Sequence, residues 1–398
     1  MSSGPSLRRL KNYALGPLGL QRYLRGCGDG RVKPRKPARA LLWAVVAGQL
    51  LRETSFHGVE ALVHSAAPRQ LGVSTRFGDD TLAYFTERLD PAPARLAMVE
   101  VLHRAKRNKA FDSAAFIGLA IDGTTVGRCG EKGCELCRSY RNAAGEIVGY
   151  RHHLAMISVV GAGISLPFDV EPYGPKDSEY AAAQRLLRRA VPALGLRFSD
   201  YLVVDAGLAT ATFLHAADEA RMPIVARLKT NLPELAAAVE KRFSAQPPHR
   251  VLSDCKDRVE LWDADDFDPW ETLKWPTVRV VRYRLHKPDG TLVQGDWLTN
   301  LPSNKIPSLS LYRMARSRWE IENQGFNDCK SRQGFEHICH HHSNSLLVCW
   351  LLTLLALIVG RLFRIRYLHR GSHPIRTAVE LVRLLWLSLG TKTAFNSS

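Results

Sequence analysis

The sequence predicts a mixed α/β protein, with a helical unit before the sheet and a β-rich insertion late in the chain. Three observations predict it. Apolar residues recur at helical spacing over residues 38–110, residues 115–229 change to period-two and β-branched runs separated by helices, and that alternation stops over residues 231–300. A chain of 398 residues is long enough for two or three such units.

Five segments follow from these changes of pattern. Residues 1–112 are a basic arm and a helical unit, and residues 113–230 are the first part of an α/β core. Residues 231–300 are the insertion, residues 301–365 bring the chain back to helix and complete the core, and residues 366–398 form a basic C-terminal tail.

Each element of the predicted core has a local signature. The run AFIGLAID is a buried strand ending at Asp122, and the turn at residues 161–163 joins two strands of a hairpin. Residues 177–194 form a helix with Asp177 or Ser178 near its cap. The strand YLVVDAG, a helix over residues 209–220 and the strand PIVARLK follow. Three antiparallel strands and then alternating helices and parallel strands make a mixed sheet.

The insertion has its own signature. An acidic, tryptophan-rich segment precedes a hairpin whose turn is at residues 288–290. We expect the tryptophans of this region to form local core, and we assign none of them to a site: Trp262, Trp270, Trp275 and Trp297.

The charge of the chain lies at its two ends. The net charge is +17, and residues 1–40 contain ten basic side chains, including Arg35 and Lys36, against one acid. Residues 361–398 contain seven against one. Basic ends on a nearly neutral body favour a polyanionic partner, most commonly nucleic acid, although excess charge also aids solubility.

Neither secretion nor a membrane span is predicted. Eight cysteines in a chain of this length indicate reduced thiols or metal ligands in the cytoplasm. The N-terminus lacks the apolar core of a signal peptide. The most apolar run, residues 346–360, is shorter than the ~20 residues that a membrane span needs, so we interpret it as a buried helix.

Acidic residues stand where two strands end. Asp122 and Asp205 follow apolar strands, and the carboxyl ends of strands are where open α/β sheets form sites. A single such aspartate is usually a cap or a turn residue. Together with a glutamate from the returning helix, these two aspartates can hold two Mg²⁺ ions about 3.5–4 Å apart, which is an arrangement that cleaves phosphodiesters.

The segments AIDGTT, VVDAGLA and RWEIENQGFNDCK resemble the three motifs of the DDE transposases of bacterial insertion sequences. The resemblance covers residues 113–360. It implies an RNase H-like (retroviral-integrase-like) core with a mixed five-stranded sheet, flanking helices and an insertion before the third acid. It also implies that Asp122, Asp205 and Glu322 are catalytic and bind two Mg²⁺ or Mn²⁺ ions.

The third motif departs from the family pattern, which is Tyr, two residues, Arg, three residues, Glu, six residues, Lys. Arg318 and Glu322 match it, and the resemblance gives Arg318 a phosphate-binding or positioning role. The Tyr position falls on Ala315, one turn after Tyr312. The Lys position falls one residue before Lys330, to which we assign the phosphate-binding role. In an α-helix Lys330 would lie about 80° around the axis from Glu322.

Alternatives remain within this helix. The same pattern of residues is also typical of a solvated amphipathic helix. In addition, Glu320 is a rival to Glu322 as the third carboxylate of the site. The two glutamates are two residues apart and so face different ways, which allows at most one of them into the site. Asp328 is the next candidate.

A structural zinc ion is a further hypothesis. Cys134 and Cys137 form a CxxC pair, which is a weak signal alone because a complete zinc site needs four ligands. We expect one or two of His337, Cys339 and His340 to complete it. The alternative is free thiols and a soluble histidine cluster.

The function predicted is that of a DNA transposase, in which the basic ends hold double-stranded DNA and the core cuts and joins it. A homodimer on DNA and a bacterial cytoplasmic location are implied by the family. Two alternatives remain: an RNase H-like nuclease or resolvase without strand transfer, and a non-catalytic DNA-binding protein derived from a transposase.

Overall fold

The computed structural model describes residues 5–65, 68–369 and 374–390. Within them, the α-helices are α1 (Leu7–Leu15), α2 (Leu20–Arg25), α3 (Ala38–Leu51), α4 (Phe56–His64), α5 (Pro68–Leu71), α6 (Asp79–Arg88), α7 (Pro91–Arg107), α8 (Glu179–Leu194), α9 (Ala211–Glu219), α10 (Pro233–Ser244), α11 (Ser308–Glu320), α12 (Asn327–Arg332), α13 (Ser343–Tyr367) and α14 (Ala378–Ser388). A π-helix, Ile321–Phe326, joins α11 to α12.

The strands belong to one mixed sheet. They are β1 (Gly118–Cys129), β2 (Arg138–Arg141), β3 (Ile147–Val160), β4 (Leu166–Tyr173), β5 (Tyr201–Val204), β6 (Ile224–Leu228), β7 (Arg250–Asp254), β8 (Asp257–Phe267), β9 (Val278–His286) and β10 (Leu292–Thr299). The core order is β4-β3-β1-β5-β6, with β1, β3 and β4 antiparallel and β1, β5 and β6 parallel. The RNase H-like sheet expected from the sequence is confirmed.

Strand β1 is the centre of this core. Leu119, Ala120 and Ile121 have no exposed surface, because β3 and β5 pair on either side and helices cover the sheet. The prediction that the strand ends at Asp122 is wrong. The pairing with β5 stops at Ile121, but β3 continues to pair with β1 as far as Cys129, so Asp122 lies within a longer strand.

The insertion extends the core sheet. Residues Asp296–Thr299 of β10 pair antiparallel with β6, and β9, β8 and β7 follow in order. Segment 231–300 is therefore continuous with the core sheet. Trp262 and Trp297 are buried, as expected of local core.

Helix α13 is the long apolar element that the helical unit and the core share. It is the one helix, within the described residues, that is long and apolar enough to cross a membrane, and 94% of its most apolar window is buried inside the chain. It packs against α3, α6 and α7 on one side and against β4 on the other. The prediction of a buried helix is confirmed.

The basic ends are folded where the structure describes them. In α1 the basic residues alternate with buried Leu7, Leu10 and Tyr13, so one face of the helix packs and the other carries the charge. The backbone N–H of Leu7 donates to Ser388 Oγ at 3.2 Å, and Trp386 Nε1 donates to the carbonyl of Leu51 at 2.9 Å. Residues 366–369 and 374–390 of the expected tail thus include helix α14, and residues 370–373 and 391–398 lie outside the described residues.

We expect Leu10→Ala to lower the free energy of unfolding by about 2–5 kcal/mol, because the leucine has no exposed surface and its truncation leaves a cavity. Leu96→Ala is the matched control, since Leu96 also lies on a helix but is 63% exposed, and we expect a change within about 0.5 kcal/mol. Urea unfolding followed by circular dichroism measures both. Equal losses of unfolding free energy in Leu10→Ala and Leu96→Ala would contradict the burial of the apolar face of α1.

Candidate active site

Two aspartates lie side by side at the edge of the parallel part of the sheet. The last paired residues of β1 and β5 are Ile121 and Val204, and the next residue on each chain segment is Asp122 or Asp205. Neighbouring strands are about 4.8 Å apart, so the two carboxylates start from adjacent positions. Asp205 also precedes the short 3₁₀ helix Ala206–Leu208, where the chain turns away from the sheet.

Arg318 connects the helix to this edge. Its Nη1 donates to Asp122 Oδ2 at 3.0 Å and to Glu322 Oε1 at 2.8 Å. The arginine side chain is 7% exposed, and the Asp122 side chain is 16% exposed. Two carboxylates from different elements therefore share a single guanidinium nitrogen, and Glu322, which is 43% exposed, forms the solvent side of the group.

The pKa values of the two aspartates are shifted in opposite directions. Burial raises the pKa of Asp122 to about 6, against the opposing charge of Arg318, and the negative charge of Glu322 adds to the rise. For Asp205, burial also favours the neutral form. The backbone N–H of Ala206 and the charges of Arg318 and Lys229 outweigh it, so the pKa of Asp205 is lowered.

The group has the donor atoms that a divalent cation needs. Asp205 Oδ1 is buried and has no hydrogen-bond partner among the described residues, so a lone pair there is free for a metal ion. Asp122 and Glu322 add carboxylate oxygens, the hard ligands that Mg²⁺ and Mn²⁺ prefer. Asp205 Oδ2 is 3.3 Å from Lys229 Nζ, which is half exposed and can move away.

A π-helix lies between Glu322 and Lys330. Residues Ile321–Phe326 have π geometry, and such single-turn insertions accommodate one extra residue in a helix. One extra residue is also the offset by which Lys330 misses the family spacing. The lysine consequently returns to within roughly 20° of the face of Glu322, in place of the 80° expected for an uninterrupted α-helix. Lys330 is half-buried, with Nζ 3.8 Å from Glu336.

The other acids of the helix have different partners. Glu320 Oε2 accepts from the backbone N–H of Gly161 at 2.8 Å, in the turn between β3 and β4, and burial raises its pKa to about 7. Asp328 pairs with Arg332 at 2.9 Å and with Arg361. Neither carboxylate is grouped with Asp122.

Tyr312 faces the insertion. Its hydroxyl donates to Asp254 Oδ2 at 2.8 Å, and its ring is buried against Tyr283. It contacts strands of the extended sheet, so it lies away from the acidic group.

The sequence did not predict a role for Glu179. A Cβ at Gly123 would lie 2.2 Å from Cδ of Glu179, so this carboxylate covers the residue after Asp122, and its charge helps raise the pKa of Asp122. Glu179 is the first residue of α8, whose cap Ser178 accepts from the N–H of Ala181. The cap was visible in the sequence, but the approach of this helix to β1 was not.

A cleft beside β1 was not predicted from the sequence either. The cleft is lined by Thr125, Arg138, Arg151, His153 and Glu179. The arginines come from β2 and β3, and both are partly exposed. Thr125 is on β1, three residues after Asp122, so its side chain is on the same face of the strand as Gly123, which Glu179 covers.

The predicted zinc and DNA-binding residues lie elsewhere. Cys134 and Cys137 are together, with their sulfurs 3.7 Å apart. The expected partners are not grouped with them: Cys339 Sγ lies 3.2 Å from Cys349 Sγ, His340 pairs with Glu87 at 2.8 Å, and His337 lies outside the cluster.

Arg35 and Lys36 lie on the loop before α3. Arg35 is exposed and Lys36 is half-buried, and the carbonyl of Lys36 accepts from Arg31 Nη2 at 2.8 Å. Among the described residues, no contact joins the side chain of Arg35 or Lys36 to the acidic group.

Comparison with known proteins decides the family. The family described as "Transposase DDE domain" matches residues 115–359, which is more than half of the chain. The chain belongs to the DDE transposase family. It is therefore an enzyme, a DNA transposase.

Two other comparisons complete the picture of this transposase. No curated protein matches it. Among solved structures, a similar chain is that of the piggyBac transposase in a cryo-EM structure of its synaptic complex with hairpin DNA. The identity is 10% and the TM-score 0.46, with 97% of this chain and 80% of that chain covered.

We expect Arg318→Met to lower the free energy of unfolding of the metal-free transposase by about 3 kcal/mol, because it leaves buried Asp122 without its cation. Added Mg²⁺ is expected to recover part of the loss by supplying positive charge. Arg332→Met is the control: its pair with Asp328 is also four residues apart, but Arg332 is 48% exposed, so we expect about 0–1 kcal/mol and no effect of Mg²⁺. Urea titrations with and without Mg²⁺ measure this, and equal losses in the two variants would contradict the bridging role.

Proposed function

We propose that this transposase cuts the ends of its transposable element and joins them to target DNA with Asp122, Asp205 and Glu322 as catalytic residues. In this proposal the three carboxylates hold two Mg²⁺ or Mn²⁺ ions. The observation that carries it is the placement of Arg318, whose one nitrogen contacts both Asp122 and Glu322 beside the strand end that carries Asp205.

The chain's own residues then have distinct tasks. Asp205 offers an oxygen that has no hydrogen-bond partner among the described residues, and Asp122 offers an oxygen on the neighbouring strand. Arg318 is one helical turn before Glu322, and its ion pair keeps the Glu322 carboxylate directed at the sheet. When bound, the two ions activate an attacking oxygen and stabilise the leaving oxygen of a phosphodiester.

Phosphate binding is assigned to basic side chains near the acidic group. Lys330 lies on the face of Glu322 after the π-helix, and Arg318 has a buried Nε without a partner in the described part of the chain. Arg138 and Arg151 line the adjoining cleft. Because these contacts neutralise DNA phosphates, we expect binding to weaken steeply with salt.

The surfaces farther from the site complete the proposal. Arg35 and Lys36 belong to the basic N-terminal region, which is proposed to hold the double-stranded terminal repeats. Element ends must be paired before they are joined, so we propose a homodimer on DNA. The enzyme would act in the bacterial cytoplasm, where its substrate lies.

The direct test is joining. Purified enzyme is incubated with Mg²⁺ and labelled DNA that carries the terminal repeats flanking its own gene, together with a circular target plasmid. We expect labelled ends covalently joined to the plasmid, and neither cleavage nor joining when EDTA removes the divalent ions. Cleavage without joined product would indicate a nuclease, and DNA binding without any metal-dependent product would indicate a non-catalytic protein.

Two glutamates of one helix provide the matched pair for the catalytic assignment. Glu322→Gln is expected to reduce cleavage by at least ~10³-fold while DNA binding persists, since a charged metal ligand is lost but the glutamine oxygen can still accept a hydrogen bond from Arg318. Glu320→Gln is expected to stay within about tenfold of wild type, because Glu320 contacts the turn at Gly161. Gel assays of cleavage and a DNA-binding titration on both variants measure this. The reverse order of activities would refute the assignment.

A further inference from the structure

A cluster of cysteine and histidine side chains lies beyond the C-terminal end of β1. Within the described residues, Cys134, Cys137, His152 and His341 place one donor atom each within 4.8 Å of one another. The two cysteines follow β1, His152 is on β3, and His341 lies between α12 and α13. His341 is about two hundred residues away from the other three in sequence, so two distant parts of the chain meet at one point.

The spacing of three of the four donor atoms is close to that of a tetrahedral site, and the fourth, on His341, lies within 4.8 Å of each of them. Zinc bonds of about 2.3 Å to sulfur and about 2.05 Å to nitrogen require donor separations of about 3.8 Å between sulfurs and about 3.6 Å between sulfur and nitrogen. The two sulfurs are 3.7 Å apart, and His152 Nε2 lies 3.2 Å from Cys134 Sγ and 3.5 Å from Cys137 Sγ. The cysteines are not joined by a disulfide bond.

The surroundings of the four side chains fit a structural ion. Cys137 and His152 are buried, with exposures of 1% and 0%, and Cys134 is half-buried. His341 is exposed and closes the outer vertex, which leaves a path by which an ion enters. Two thiolates and two imidazoles are a soft set that selects Zn²⁺ over Mg²⁺, and two thiolates neutralise its charge.

We propose that Cys134, Cys137, His152 and His341 bind one structural Zn²⁺, which clasps the segment after the catalytic helix to strands β1 and β3. Other contacts at the same place point to this role. The carboxylate of Glu336 accepts from the N–H of Gly127 at 2.8 Å, and a Cβ at Gly127 would lie 2.5 Å from Ile338. The clasped segment, residues 333–342, begins three residues after Lys330 and provides its partner Glu336.

The ligand set differs from the one expected from the sequence. His152 lies in β3 and is separated from the cysteines by β2 and the turn after it. His341 is the residue after His340, which pairs with Glu87. Cys129 is a neighbour of the cluster, with Sγ 3.7 Å from His341 Nε2. The proposal does not rest on the transposition chemistry, since it concerns the fold around the helix.

The first test is the metal content of the full-length protein. The protein is purified without chelator, and inductively coupled plasma mass spectrometry is expected to find one zinc ion per chain. Cys137→Ser and His152→Ala are expected to lose it. Cys255→Ser and Cys339→Ser are controls that keep it, because Cys255 is exposed elsewhere and Cys339 contacts Cys349. Folded wild-type protein without stoichiometric zinc, or loss of zinc in Cys339→Ser, would overturn the proposal.

The second test keeps the proposal falsifiable if the ligand variants do not fold. Zinc in the wild-type protein is exchanged for Co²⁺, and tetrahedral coordination by two thiolates is expected to give both d–d and thiolate charge-transfer absorption. Removal of the metal is expected to accelerate amide hydrogen exchange in residues 130–137 and 333–342 and to leave the β9–β10 hairpin unchanged. An octahedral cobalt spectrum, or no local change in exchange, would contradict the clasp.

Discussion

The site depends on one ionic contact, the guanidinium of Arg318 between Asp122 and Glu322. One carboxylate belongs to the central strand and the other to a helix that returns to the sheet about two hundred residues later, at separations of 3.0 and 2.8 Å from the same nitrogen. The Arg318 side chain is only 7% exposed, so leaving its charge or that of Asp122 unpaired would cost a large free energy of desolvation. The arginine therefore holds the helix in register with the sheet, and divalent ions would later share the same carboxylates.

The rest of the molecule fixes the same helix from its other sides. Ser317 Oγ bonds the hydroxyl of Tyr201 on β5 at 2.8 Å, and buried Arg361 of α13 contacts Ser165, the carbonyl of Gln324 and Asp328. Arg361 reaches the helix within the π segment, where the ordinary hydrogen-bond ladder is shifted. The proposed zinc clasp would hold the segment that follows. The geometry of the acidic group thus depends on the packing between α13, the sheet and the interrupted helix.

The local pattern of the chain was enough to predict the core. Apolar runs located β1 and β5, and the rule that sites form at carboxyl ends of parallel strands brought Asp122 and Asp205 together. Contacts between residues distant in sequence were not predictable in the same way. The pairing of β10 with β6 joins segments about seventy residues apart, and neither it nor the approach of Glu179 to Gly123 has a local signal. The π-helix had one indirect signal, the single-residue offset of Lys330. The histidines beside Cys134 and Cys137 had none, because their neighbours in sequence are also histidines.

The central claim is that Asp122, Asp205 and Glu322 form one divalent-metal site. The most direct measurement is a crystal structure of the transposase soaked in Mn²⁺, with anomalous scattering used to locate the ions. The account predicts manganese bound between the three carboxylates, with Glu320 still on the N–H of Gly161. Manganese bound by Glu320 or Asp328, or no manganese near Asp122 and Asp205 while the protein is active, would contradict it.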